Sequence, residues 1–110
     1  MEQYVKHMML KHAVKVWKLQ RIDGAGDRIY SEEPIEMSGY FVGQTSLIMT
    51  GVGEQKLSSG YIILDAEDFK QVSVGDLIET NDTPGKLPVI HVRPYYRYSG
   101  ILDYGLVFLR

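Results

Sequence analysis

The chain contains no cysteine. Disulfides and thiolate metal sites are therefore excluded. No apolar run approaches the roughly 20 residues of a membrane-spanning helix. Met8–Leu10 is too short for the apolar core of a secretion signal, and no small-residue cleavage site follows it. An excess of charge of one sign is also missing: 12 Lys and Arg against 14 Asp and Glu give a formal net charge of −2. That balance removes the basic footprint with which nucleic-acid binders hold phosphates.

What is present is enough apolar material for one core. The chain has 110 residues, the size of a single domain, and 45% of them are hydrophobic. A domain this small buries roughly two thirds of its unfolded surface, which leaves little area for an elaborate enzyme cleft. From His12 the sequence alternates strictly. Ala13, Lys15, Trp17 and Leu19 face one way, and Val14, Val16, Lys18 and Gln20 the other, which predicts a strand with Trp17 as its heaviest anchor. Asp23–Asp27 (DGAGD) is a turn with two glycines, and Arg28–Ser31 the short returning strand. Pro34 opens the next strand, which continues through Met37–Val42. Tyr61–Leu64 reads as a buried strand, Ala66–Val72 as a connection with one helical turn behind Asp65 as N-cap, and Val74–Ile78 as a turn into a strand. Asn81–Leu87 carries a Pro-Gly turn, Pro88–Arg93 is a strand, Pro94 starts a bend, and Leu102–Arg110 is the closing strand. Six or seven strands, little helix and regular turn signals describe an all-β fold, a small antiparallel barrel or sandwich. Residues 1–11 are set apart as an N-terminal extension, in which Tyr4 and Met8 share a helical face; 12–110 form the barrel domain.

The segment 43–60 breaks this regularity. It is far longer than the two to five residues or so of a hairpin loop. It carries Gly43, Gly51, Gly53 and Gly60, yet also Leu47, Ile48, Met49 and Val52. The expectation is a β-hairpin arm, Ser46–Thr50 pairing with Gln55–Ser59 about Gly51-Val52-Gly53, standing off the barrel. Such an arm would expose Leu47, Ile48 and Met49 together, and a contiguous apolar surface marks a contact site.

Catalytic patterns are not found. His7, His12 and His91 lack the spacing of a shared zinc site. Asp23, Asp27, Glu32 and Glu33 flank a glycine turn without the ligand ladder of a calcium loop. Gly24-Ala25-Gly26 lacks the rest of a phosphate loop. Glu67 and Asp68 are adjacent and point apart, and no activated nucleophile is presented. The chain is read as a non-enzyme that needs no cofactor. Arg93, Tyr95, Tyr96, Arg97 and Tyr98, with Tyr104, form an aromatic and basic group. Barrel-end packing, a protein interface and a stacking platform for single-stranded nucleic acid all fit it, and the missing positive charge places the last well behind.

The order of elements resembles the head-closure, or stopper, proteins of long-tailed bacteriophages, also catalogued as minor capsid proteins. The resemblance runs from His12 to the C-terminus. It rests on HAVKVWKL, the acidic glycine turn DGAGDRIYSEEP, a long arm between MSGYFV and YIILD, then VGDLI, PVIHVRPYYR and an apolar closing strand. It implies a hexameric ring in the virion neck, assembled in the host cytoplasm and seated between the portal adaptor and the tail terminator. The long arm would reach the central channel and help retain packaged DNA, with no sequence readout. Leu47, Ile48, Met49, Gly51, Val52, Gly53, Glu54 and Lys56 would then be the arm contacts. Glu54 and Lys56 offer opposite charges to neighbouring arms. A tail terminator, another neck protein, or a small nucleic-acid- or peptide-binding barrel are the alternatives.

Overall fold

In the computed structural model, residues 12–50 and 52–110 are described. The N-terminal extension, His7 and Gly51 lie outside them. Alternation builds the core from the first strand onward. In β1 (His12–Trp17), Val14 and Val16 point inward and are fully buried, while Ala13 and Lys15 face out. Nine further strands follow. They are β2 (Leu19–Ile22), β3 (Arg28–Tyr30), β4 (Ile35–Val42), β5 (Ser46–Met49), β6 (Gln55–Ser58), β7 (Gly60–Asp65), β8 (Leu77–Thr80), β9 (Leu87–Tyr96) and β10 (Leu102–Leu109). A single helical turn, α1 (Ala66–Phe69), links β7 to β8, with Asp65 at its N-cap position.

Six of these strands pair antiparallel in the order β1-β4-β7-β10-β9-β8, and β8 returns to β1, so the sheet closes on itself as a small barrel. Closure removes free edges, which a small open sheet would expose. Val14, Val16, Met37, Ile62, Leu64, Ile78, Val89, Val107 and Leu109 fill the interior, one inward face from each strand. Gly39 and Gly105 make room. A side chain on Gly39 would lie 2.8 Å from Ile62 and 2.9 Å from Leu64. The Phe69 ring of α1 sits directly on Gly105, so the helical turn plugs the barrel end. The remaining strands form two hairpins outside the ring, β2–β3 and β5–β6.

Three sequence expectations change. Ten strands are formed among the described residues, six in the closed sheet and four in two hairpins outside it. Pro94 does not start a bend: β9 runs through it to Tyr96, with Pro94 opposite Gly105 of β10. Strand β8 meets β9 only at Leu87 and Pro88, so among the described strands Pro94 has a neighbour on one side only, where a missing N–H is tolerated. Trp17 is not a core anchor. It is half-buried on the outer face, with the Lys86 ammonium 4.1 Å from its ring centre. The core contribution of β1 comes from its two valines.

An ion pair joins the barrel to the loop before β8. Asp76 is buried, and its carboxylate accepts from Lys18 Nζ at 2.6 Å, from the Leu19 backbone N–H at 2.9 Å and from the Ser73 N–H at 2.8 Å. Lys18 also donates to the Gln71 carbonyl at 2.7 Å. A buried carboxylate needs such partners.

Candidate functional site

The long segment between β4 and β7 is a hairpin, and its geometry follows from where it is rooted. Strands β4 and β7 pair with each other up to Val42 and Tyr61, at one end of the barrel. Beyond that the chain bends out of the sheet and forms β5–β6, with Ser46 opposite Ser58, Leu47 opposite Leu57, Ile48 opposite Lys56 and Met49 opposite Gln55. The tip is closed by Thr50. Its N–H donates to the Glu54 carbonyl at 2.8 Å, its carbonyl accepts from Gly53 N–H at 3.0 Å, and its hydroxyl accepts from Glu54 N–H at 3.3 Å. Gly53 has φ +83°, a conformation that favours glycine.

The root is clamped. The buried Ser58 hydroxyl donates to the Leu109 carbonyl at 2.9 Å and lies 2.8 Å from the Gly60 carbonyl. The Ser59 N–H also donates to Leu109 O, at 2.9 Å.

The hairpin does not stand clear of the barrel. Residues alternate across a two-stranded ribbon, so its two faces differ. Ile48 is 6% exposed and packs with Ile90 and Phe108, flanked by Tyr61 and Leu106, in a cluster separate from the barrel core. Leu47 and Met49, its neighbours in sequence, are 68% and 54% exposed. The expectation that Leu47, Ile48 and Met49 are exposed together is therefore corrected: Ile48 is the hook, and Leu47 and Met49 face outward with Leu57, while Val52 sits exposed at the tip. Glu54 and Lys56 lie 4.0 Å apart within the same hairpin.

The receiving face owes its shape to a β-bulge. Leu109 is opposite Val89 but Phe108 is opposite His91, so Ile90 is an extra residue on β9. A bulge re-aims side chains. Here it leaves Val89 in the core and puts Ile90 beside Phe108 on the outer face. The His91 and Phe108 rings are 5.8 Å apart, Tyr61 lies 5.6 Å from Phe108 on the other side, and the Arg93 guanidinium sits 4.9 Å from the Phe108 ring centre. A cleft of about 390 Å³ remains between hairpin and barrel, lined by Thr50, Val52, Lys56, Val74, Ile90, His91 and Val92. Burial, and then the neighbouring Arg93 charge, hold His91 below the usual histidine range.

The aromatic and basic group read from the sequence is split. Arg93 is exposed and lies over the Phe108 ring, on the outer face that also carries Ile90. Tyr95 stacks on Tyr104 across the β9–β10 pair, centroids 4.9 Å apart and planes 7° from parallel. Tyr96, Arg97 and Tyr98 project from the far end of that pair, fully or largely exposed. Arg97 Nε donates to Asp103 at 3.3 Å.

Sequence reasoning passed over Ile90, Phe108 and Ser58, and weighed His91 only as a metal ligand. A signal existed for the first: Val89-Ile90 breaks the alternation of β9 with two consecutive apolar residues, as a bulge does. Likewise Val107-Phe108-Leu109 is apolar on both faces, which marks a strand covered on both sides.

Among the described residues no three His, Asp or Glu side chains converge as a metal site, and no described helix is long and apolar enough to cross a membrane. His12 serves the fold: its Nδ1 accepts the Phe41 N–H at 2.9 Å and its ring stacks on Tyr40. Glu67 pairs with Lys70 at 3.4 Å on the surface. No family model matches the chain, and no curated protein matches it.

Proposed function

We propose that this chain is a structural subunit of a bacteriophage neck, a head-closure protein whose β5–β6 hairpin contacts neighbouring subunits and the channel. What supports the reading is one observation above others. The hairpin uses one face to hold itself to a completed barrel and turns an apolar face of Leu47, Met49 and Leu57 to solvent. A barrel that already has a closed core gains nothing from that face alone, and exposed apolar ribbons are contact surfaces.

In this reading, copies of the chain form a ring between portal adaptor and tail terminator. The net charge of −2 suits a plug that obstructs packaged DNA sterically rather than gripping its phosphates. Glu54 and Lys56, close to each other within one hairpin, can exchange partners between adjacent hairpins at little cost, since exposed pairs contribute about 1 kcal/mol or less.

The test is electron microscopy of particles assembled without the protein. Filled or leaking heads beside separate, finished tails are expected. Normally joined virions would sink the proposal.

A second reading, a binding module, draws on the exposed Tyr96 and Tyr98 at the far end of β9–β10. Arg97 beside them already pairs with Asp103, which weakens its claim on phosphates. It predicts that Tyr98→Ala lowers affinity for single-stranded nucleic acid or a peptide ligand. Unchanged or undetectable binding removes it.

A further inference from the structure

We propose that the β5–β6 hairpin is an acid-released latch: Ile48 fastens it to the barrel face, and protonation of His91 beneath it loosens that hold. This regulation rests on the reading of the hairpin as the working part of the protein, but the latch itself is a property of the isolated chain.

The geometry carries the inference. The hairpin body is held through one apolar hook in a small satellite cluster, Ile48 on Ile90 and Phe108. Its root, by contrast, is clamped by Ser58 and Ser59 on Leu109. An element tied firmly at its base and lightly along its length opens by tilting, at a lower free energy than global unfolding. His91 lies at that light contact. It is next to Phe108, and it lines the same cleft as Lys56 and Thr50 of the hairpin.

The charges around His91 favour its neutral form. From β6, Lys56 enters the cleft. From β9, Arg93 caps the Phe108 ring. The residues of β7 and β10 in the cluster are Tyr61, Leu106 and Phe108, none of them cationic or anionic near neutrality. The loop before β8 contributes Val74, while its Asp76 is turned to Lys18. Glu54, two residues before Lys56 on the hairpin, is exposed and its carboxylate lies 4.0 Å from the Lys56 ammonium. Among the described residues no carboxylate lines the cleft, so a protonated His91 would add a cation beside Lys56 and Arg93.

The sign follows. Burial comes first among the causes that lower the His91 pKa, and the hairpin that shares its cleft supplies part of it, so docking favours neutral His91; the Arg93 charge lies on the same strand and acts in both the docked and the open form. Its contribution to docking is therefore full at neutral and higher pH and is lost as pH falls through the open-form value and then the lower docked-form one. The open population rises by the ratio of the two proton-binding constants, about tenfold for each pH unit that separates them.

The experiment is methyl and ring NMR of the isolated protein, titrated from about pH 8 to about pH 5, across the histidine range. The Ile48 methyl resonance should move toward that of an exposed isoleucine and lose its NOE to Phe108, with the midpoint of the His91 ring protons. In His91→Gln the Ile48 resonance should stay still. In Lys56→Met the response should shrink and its midpoint rise, because one opposing charge is gone. The latch is overturned if His91 titrates while Ile48 does not move, or if His91→Gln responds as wild type does. Should His91→Gln fail to fold, the two wild-type midpoints decide: coincidence supports the latch and separation refutes it. Virions that join normally without the protein would remove the neck reading and leave this result untouched.

Discussion

At the scale of single residues, the strongest constraints come from groups that burial leaves no alternative. Asp76 is enclosed with Lys18 and two backbone N–H donors. Asp76→Ala removes the acceptor and leaves those donors unpaired, and should cost about 2–4 kcal/mol in urea unfolding. Trp17 is the opposite case. It is the largest side chain of β1, but its ring lies on the outer face under Lys86. Trp17→Ala should cost about 1–2 kcal/mol, well below the 3–5 kcal/mol or so of a core aromatic. A larger loss would mean that the ring is part of the core. Gly105 tests the plug: Gly105→Val puts a side chain where the Phe69 ring lies and should destabilise by about 2 kcal/mol or more. None of these outcomes was legible from residue type alone. Alternation marks β1 as a strand with two different faces, but whether the valines or Trp17 lie inside depends on which face the barrel closes around.

At the scale of elements, the long segment between β4 and β7 separates what pattern shows from what packing adds. Its pairing was readable, because Gly-Val-Gly between two strand-length runs is a hairpin signal. Its docking was not, because that depends on Ile90 and Phe108, far away in sequence. Two variants follow from the division. Deleting residues 50–56 removes the tip but leaves Ser58 and every strand of the closed sheet, so the barrel should stay folded, with a midpoint shift equivalent to about 1 kcal/mol or less. Collapse of the fold would make the hairpin part of the core. Ile48→Ala should speed amide exchange in the hairpin far more than in β7 or β10, since opening of a satellite element is local. Uniform acceleration across all strands would contradict a separate latch.

At the scale of the whole molecule, the barrel is closed and its core complete, with the apolar face of the hairpin left over. That surplus predicts self-association. In the neck reading, Leu47→Asp together with Leu57→Asp should abolish ring assembly while leaving the monomer's thermal midpoint almost unchanged, because both side chains are exposed. Analytical ultracentrifugation with the ring partners present, beside a thermal melt, measures both. A doubly substituted chain that still assembles would move the interface elsewhere, with the Tyr96–Tyr98 end as the next surface to test.

The sequence by itself determined the all-β class, most strand positions, the turns and the existence of the hairpin. Those properties are local: alternation with a period of two, and turn residues at fixed offsets, act between neighbours in the chain. Only the tertiary structure decided which face of β1 is inside, where the hairpin lies, and that Arg93 and Tyr98, close in sequence, serve different surfaces. Each of these depends on contacts between residues distant in the chain, and the bulge at Ile90 fixes the most consequential one. By inserting one residue opposite Leu109 and Phe108 it turns Ile90 outward and brings His91 beside Phe108, creating the face on which Ile48 rests.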